Sequence, residues 1–509
     1  MQLALVVLVA AAFLALAESA AAPVTTASGF VSGIPGRDAA ITVFKGIPFA
    51  APPTGPRRWQ APAAATSWPG VRVADTFSPS CIQTIVTEKK PWTYEFMAHG
   101  DISEDCLYLN VWSPDVSART RRPVLIYIYG GGNVEGSGSV PAYDGEGLAS
   151  KGLVVVTFNY RVGVLGFFAH PELTREAGYH ASGNYGLLDQ IAAVRWVHDN
   201  IAAFGGDPAR ITIAGQSAGA GAVHSLTASP LARGLFHRAI ADSGAAVAGT
   251  RTMADQEADG VRFAAAKGAT SIAALRAMGW PQVVEPVQGV RFGPLPDGYA
   301  LPSTVRELFA AGKQNDVPML TGSNADEGGA VPNPTTTVES FERDAKQRYG
   351  DKAAEFLKLY PAATDDEAKR AQNDSARDRA RATLYFWALD RARTARTSVF
   401  TYFWTHALPG PDASQYGAFH TSEVPYVLNT LSLSQRPFAA ADHQIAGTLS
   451  SYWVNFAGRG DPNGKGLPAW PRVTSAIAQT MEVGDRFQPM PIAGNEARID
   501  FFRRVLAVH

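Results

Sequence analysis

An α/β fold built on a mainly parallel sheet is what this sequence predicts, on three observations. Short apolar runs rich in β-branched and aromatic residues recur along the chain, helical patterns alternate with them, and a glycine-flanked serine follows directly on one run. The predicted strands are residues 124–129 (VLIYIY), 153–158 (LVVVTF), 211–214 (ITIA), 317–321 (VPMLT) and 399–404 (VFTYFW). Runs with so little polar interruption imply a sheet covered on both faces. Between them a helix is predicted over 189–203, where Ile191, Val194, Val197 and Ile201 recur at helical spacing before Gly205-Gly206 stops it. Residues 362–396 are polar, charged and Ala-rich, and read as solvated surface helices of a peripheral subdomain.

Composition excludes several classes. The 509 residues are 46% hydrophobic and 18% charged, which is globular rather than disordered, collagen-like or coiled-coil. Lys and Arg number 45 against 46 Asp and Glu, and no long basic run exists, so there is no electrostatic footprint for nucleic acid or an anionic membrane. Residues 3–17 form an unbroken apolar stretch followed by small residues, too short to span a bilayer comfortably. This pattern predicts a secretory signal peptide over residues 1–22, although no Lys or Arg precedes the stretch, and a secreted or periplasmic product. No later segment has the uninterrupted apolar length of a membrane helix. The only cysteines, Cys81 and Cys106, are candidates for one disulfide in an exported chain, with two buried thiols as the alternative. No CxxC pair, HExxH helix or histidine cluster has metal-site spacing, so no metal is expected.

Chemistry enters at Gly215-Gln216-Ser217-Ala218-Gly219. The motif alone is weak, but a predicted strand runs straight into it and a small-residue helix over 218–226 continues from it. That is the strand, sharp turn and helix that expose a serine at the carboxyl edge of a sheet. A serine nucleophile needs a base, an acid that orients the base, and donors for the oxyanion. In this arrangement acid and histidine follow the serine in the chain. Gly322-Ser323-Asn324-Ala325-Asp326-Glu327-Gly328 follows the strand at 317–321, so either Asp326 or Glu327 can be the acid. His443 falls inside a helical pattern and His509 is the last residue, which leaves His406 and His420 open on spacing alone. Gly130-Gly131-Gly132, after the strand at 124–129, offers bare backbone N–H groups that with Ala218 would form the oxyanion hole.

Over residues 33–502 the chain resembles the type-B carboxylesterases, the α/β-hydrolase family that includes the cholinesterases. Beside the serine motif, the resemblance rests on Phe44-Lys45-Gly46-Ile47-Pro48-Phe49-Ala50, Glu104-Asp105-Cys106-Leu107-Tyr108-Leu109-Asn110-Val111-Trp112, Asn184-Tyr185-Gly186-Leu187-Leu188-Asp189 and Phe204-Gly205-Gly206-Asp207-Pro208. It implies one catalytic α/β-hydrolase domain over 23–509, with a peripheral helical subdomain around a gorge leading to Ser217. It further implies Glu327 as the acid, His420 (in Phe419-His420-Thr421-Ser422-Glu423-Val424-Pro425-Tyr426) as the base, Gly131, Gly132 and Ala218 as oxyanion donors, and a Cys81–Cys106 disulfide. Ser243, in Asp242-Ser243-Gly244, looks like the family's serine that supports the triad.

The implied activity is hydrolysis of a small or medium organic ester through an acyl-enzyme, without metal or organic cofactor. This chain departs from the family at Gln216, where Glu is usual, at Tyr129, where His is usual, and at Asn133, where an aromatic is common. Gln216 and Asn133 are expected to line the pocket and make it less suited to cationic substrates. Phe292, in Arg291-Phe292-Gly293-Pro294, is expected on the acyl side, and Arg291 is read as an exposed charge. Binding-only relatives lack the catalytic serine or histidine, whereas all three triad positions are filled here. Thioesterase, amidase and lactonase chemistry use the same triad and stay open.

Overall fold

The computed structural model describes residues 22–244, 251–327 and 336–506. The predicted signal peptide, up to residue 21, and His509 lie outside the described residues.

The apolar runs assemble into one 11-stranded sheet. In chain order its strands are β1 (Ile34–Pro35), β2 (Thr42–Pro48), β3 (Tyr108–Ser113), β4 (Arg122–Ile128), β5 (Val154–Phe158), β6 (Gly206–Gln216), β7 (Arg238–Asp242), β8 (Met319–Asn324), β9 (Val399–Trp404), β10 (Gln479–Val483) and β11 (Gln488–Pro491). Across the sheet they run β11-β10-β9-β8-β7-β6-β4-β5-β3-β2-β1. Every pairing from β5 through β10 is parallel, and antiparallel strands finish both sides. Parallel neighbours need crossovers, which carry the chain over the faces as helices. Val124, Leu125, Ile126, Val154, Val155, Val156, Ile211, Ile213 and Ala239 to Ala241 have no exposed surface, as a sheet covered on both faces requires.

Two strand boundaries differ from the sequence pattern. β6 starts at Gly206, because Gly206 pairs with Arg122 before an irregularity restores register at Ile211. β8 starts at Met319 and continues through Gly322, Ser323 and Asn324, which pair with Tyr402, Phe403 and Trp404 of β9. Apolar patterning ends where these polar residues begin, although the ladder does not.

The helix predicted over 189–203 is α1 (Tyr185–Asn200), followed by a 3-10 turn, Ile201–Phe204, that Gly205 ends at φ 79°. Within α1 the buried Asp189 carboxylate takes both the Nε and Nη2 donors of Arg161 at 2.8 Å, tying the chain after β5 to the helix. The helix after the serine motif is α2 (Ala218–Ala228).

The segment over 362–396 is one 27-residue helix, α3 (Asp365–Arg391), rather than several solvated ones. Ala368, Ala371, Ala382, Tyr385 and Phe386 are buried and join Phe341, Phe356, Phe501 and Phe502 in a satellite core, while Ala388 is buried against the main core. Its buried charges are paired: Asp378 accepts from Tyr360 Oη (2.7 Å), and Arg391 donates to the Val317 carbonyl (2.6 Å). Further on, α4 (Ala440–Arg459) contains His443, and α5 (Glu496–Leu506) packs on α3. No helix among the described residues is long and apolar enough to cross a membrane.

Candidate active site

Local sterics force the serine turn. β6 ends at Gln216, Ser217 adopts φ 58° and ψ −121°, and α2 starts at Ala218. A non-glycine residue pays roughly 1–3 kcal/mol for such a backbone, which survives only where its surroundings over-determine it. Here the Ser217 N–H donates to the Asp242 carbonyl at the end of β7 (2.9 Å). A Cβ on Gly215 would lie 2.6 Å from the Gly219 carbonyl carbon, and one on Gly219 would lie 2.1 Å from the Ile128 carbonyl oxygen. Glycine at both positions is what lets the turn press against β4.

The acid comes from the end of β8. Past Asn324, the Asp326 N–H donates to the Ala418 carbonyl (3.0 Å), and the Asp326 carboxylate accepts from the Ala418 N–H (2.9 Å) and Arg377 (2.7 Å). Asp326 thus fastens this loop to the segment preceding the histidine. Its neighbour Glu327 points at that histidine: Oε2 lies 2.5 Å from His420 Nδ1, while Oε1 accepts the Asn324 N–H (2.7 Å). His406, the other histidine left open by spacing, is held by Asp485 (2.6 Å) and Asp442 (3.0 Å) instead. With Nδ1–H given to Glu327, His420 keeps Nε2 as its basic nitrogen.

Ser217 and His420 line one cavity of about 330 Å³. Among the described residues the Ser217 hydroxyl makes no hydrogen bond to His420, a looseness common in resting hydrolase sites. The nearest polar group to His420 from the serine motif is the Gln216 carboxamide, whose Nε2 lies 3.2 Å from the ring Nε2. Gly130, Gly131 and Gly132 form the adjacent wall, with Gly131 at φ 97° and Gly132 at φ 62°. No hydrogen bond among the described residues occupies the Gly131 or Gly132 N–H, and Ala218, first in its helix, has no intrahelical acceptor for its own. These donors are free to receive negative charge.

Burial and charge set the site's proton affinities. Burial pushes His420 down, but the hydrogen bond and charge of Glu327, with a further contribution from Glu423, outweigh it and leave the imidazole raised. Behind it, burial pushes Glu423 up to about 8 and Asp242 up to about 7, the neighbouring Asp242 charge adding to the effect on Glu423. Asn324 Nδ2 donates to Glu423 and to the Phe419 carbonyl, while the Tyr402 hydroxyl donates to Asp242 (2.9 Å). Ser243 reaches this group only by a 3.5 Å contact with Asn324. Asp242, Asn324 and Glu423 stand in segments singled out in the sequence, yet nothing there gives them a shared role, because only the fold gathers the ends of β7 and β8 and the residues after His420.

The expected pocket residues divide. Gln216 lines the cavity, but Asn133 does not, although its neighbours Gly132 and Val134 do. Phe292 is also absent from this lining: it packs edge-on against Phe168 (5.2 Å) and Phe263 (5.6 Å) in a separate apolar cluster. Arg291 is exposed, as read. Tyr129 faces away from the cavity, buried and bonded through its hydroxyl to the Tyr160 backbone. Cys81 and Cys106 are joined in a disulfide. The loop it closes supplies much of the opposite wall, including Gln83, Val86, Lys89, Trp92, Phe96 and Met97. Trp92 Nε1 donates to the His420 carbonyl (3.1 Å) and to Thr421 Oγ1 (2.6 Å), so this loop also grips the histidine's backbone. Among the described residues no group of His, Cys, Asp and Glu has the arrangement of a metal site.

A serine on a strained strand-to-helix turn, at the carboxyl edge of a parallel sheet, with a Glu-bound histidine beside it, defines a hydrolase of the α/β-hydrolase class. The chain belongs to the carboxylesterase family, whose model matches residues 20–502. It is 38% identical to the fumonisin B1 esterase of Sphingopyxis macrogoltabida, over 88% of this chain and 84% of that protein. It is 32% identical to human carboxylesterase 3, over 92% and 86%, and 33% identical to the para-nitrobenzyl esterase of Bacillus subtilis (strain 168), over 90% and 94%. The protein is a carboxylic ester hydrolase.

Proposed function

We propose that the enzyme cleaves a small or medium organic ester through an acyl-enzyme on Ser217. His420 Nε2 takes the hydroxyl proton as Ser217 Oγ attacks the ester carbonyl, and Glu327 holds the ring and stabilises its cation. The Gly131, Gly132 and Ala218 N–H groups receive the developing oxyanion. The imidazolium then protonates the departing alcohol, and water, deprotonated by the same histidine, releases the acid. The observation that carries this reading is the 2.5 Å contact between Glu327 and His420 beside the strained serine.

Ser217→Ala is the test. With folding verified by circular dichroism, ester turnover should fall on the order of 10⁴-fold or more, and turnover near the wild-type rate would overturn the assignment. For substrate charge, the cavity's lining pairs one acidic group, Glu135, with one basic group, Lys89, and carries neutral Gln216 at its floor. Uncharged esters should therefore be hydrolysed in preference to choline esters of equal acyl size, a choline preference counting against this reading. Export follows from the predicted leader together with the disulfide, a bond that persists in oxidising compartments. Activity recovered from the periplasm or medium of the producing cell, and not from its cytoplasm, is the expected result.

A further inference from the structure

The carboxamide of Gln216 is placed against the catalytic imidazole in a way that the triad chemistry does not explain. Gln216 is the last residue of β6, in register with Asp242 of β7, and is 1% exposed. Its Nε2 lies 3.2 Å from His420 Nε2 and 3.4 Å from Nδ1. Near-equal distances to both ring nitrogens put the amide against the ring rather than on the lone-pair axis of either one. The axis from Nε2 toward Ser217 is thereby left open, and the amide's positive end rests on the imidazole. The glycine loop permits this placement: a Cβ on Gly130 would lie 2.7 Å from the Gln216 carbonyl oxygen and 3.3 Å from its Oε1. Any larger residue at 130 would displace the side chain.

We propose that Gln216 is a positioning residue for His420: it braces the ring in the orientation that gives Nδ1–H to Glu327, and it keeps a second carboxylate away from the imidazole. The proposal rests on the catalytic reading of Ser217, His420 and Glu327 above. Catalysis needs His420 neutral, and Glu327 and Glu423 already favour its cation. Other ionisable groups around the ring are Asp242, on the neighbouring strand beside Glu423, and Lys89, Glu135 and Tyr143 on the cavity walls; burial pushes the Tyr143 phenol up, so it stays neutral. A carboxylate at 216, where the present amide lies 3.2 Å from the ring Nε2, would hold the proton on His420 to higher pH. An amide with its hydrogens toward the ring opposes that proton, so the neutral base persists to lower pH.

The test compares pH profiles of kcat/KM, and of inactivation by an organophosphonate that reacts with Ser217, for the wild type, Gln216→Glu and Gln216→Leu. Gln216→Glu should move the acid limb of both profiles upward by about 1 pH unit or more, with kcat recovered on the alkaline plateau. Gln216→Leu, which removes the opposing amide, should leave the limb in place or raise it by less than Gln216→Glu does, and should reduce kcat more than it alters KM, because the ring loses its brace. Superimposable acid limbs for wild type and Gln216→Glu would overturn the charge argument. Should Gln216→Glu fail to fold, Gln216→Leu decides, since a wild-type kcat in that variant would overturn the positioning role. A failure of the triad reading is distinguishable: Ser217→Ala would stay active, whereas failure of this proposal leaves Ser217 essential.

Discussion

One methyl group at Gly219 is enough to break the serine turn, because it would stand 2.1 Å from the Ile128 carbonyl oxygen and the backbone of β4 cannot retreat from it. Gly219→Ala should cost about 3 kcal/mol or more, read as a lower melting temperature, and should abolish turnover even where folded protein is recovered. The same scale separates Asp326 from Glu327. Glu327→Gln keeps the shape of the acid but favours the wrong ring tautomer, and should lower kcat by on the order of 10⁴-fold. Asp326→Asn touches neither His420 nor Ser217 and should act mainly through stability. Ser217 stood out only because its glycine-flanked motif lies between a predicted strand and a small-residue helix. Spacing did not separate Glu327 from Asp326 or His420 from His406, since what distinguishes them is that Glu327 and His420 meet each other while Asp326 is spent on Arg377 and His406 on Asp442 and Asp485.

Among the elements, the loop between Cys81 and Cys106 has the most to lose from a local change. It walls the cavity and, through Trp92, grips the backbone at His420. Replacing both cysteines by alanine should destabilise the fold by about 2–5 kcal/mol. It should also raise KM for esters that fill the cavity, and steady-state kinetics against a series of acyl lengths would show whether the effect grows with substrate size. For α3 the sequence reading missed the burial, because a helix with so many Asp and Arg residues looks solvated until its alanines and aromatics are placed on one side. Its buried ionic residues find partners, Asp378 in Arg381, Arg498 and Tyr360 and Arg391 in the Val317 carbonyl and Thr397, which no periodicity reports. The strands of the central sheet were legible for the opposite reason: burial on both faces leaves them apolar almost throughout.

For the whole molecule, the buried acids beside the triad shape how stability responds to pH. Glu423 and Asp242 titrate near 8 and 7 when folded, above their ordinary values of 4.5 and 3.8. Between about pH 4 and 8 the unfolded chain has released these protons while the folded chain still holds them, so stability declines as pH rises through that window. Glu423→Gln should flatten the decline, a comparison of melting temperatures at pH 5 and pH 8 being the measurement. An equal decline in both proteins would show that other groups govern it. The mainly parallel run through the sheet follows from alternating strands and helices, whereas the order of the strands and the pocket wall do not. Asn133 and Phe292 were expected on that wall from the family resemblance, and neither is among the residues that line it.

The left-handed backbone at Ser217 has a last consequence, for inactivation. That conformation is unfavourable in itself and is kept only while β4, β6, β7 and α2 press on it together. A slight loosening at their junction lets the serine relax to an ordinary angle, long before the sheet comes apart. On gentle heating, hydrolytic power should therefore vanish several degrees below the temperature at which helical ellipticity disappears, and should return on cooling.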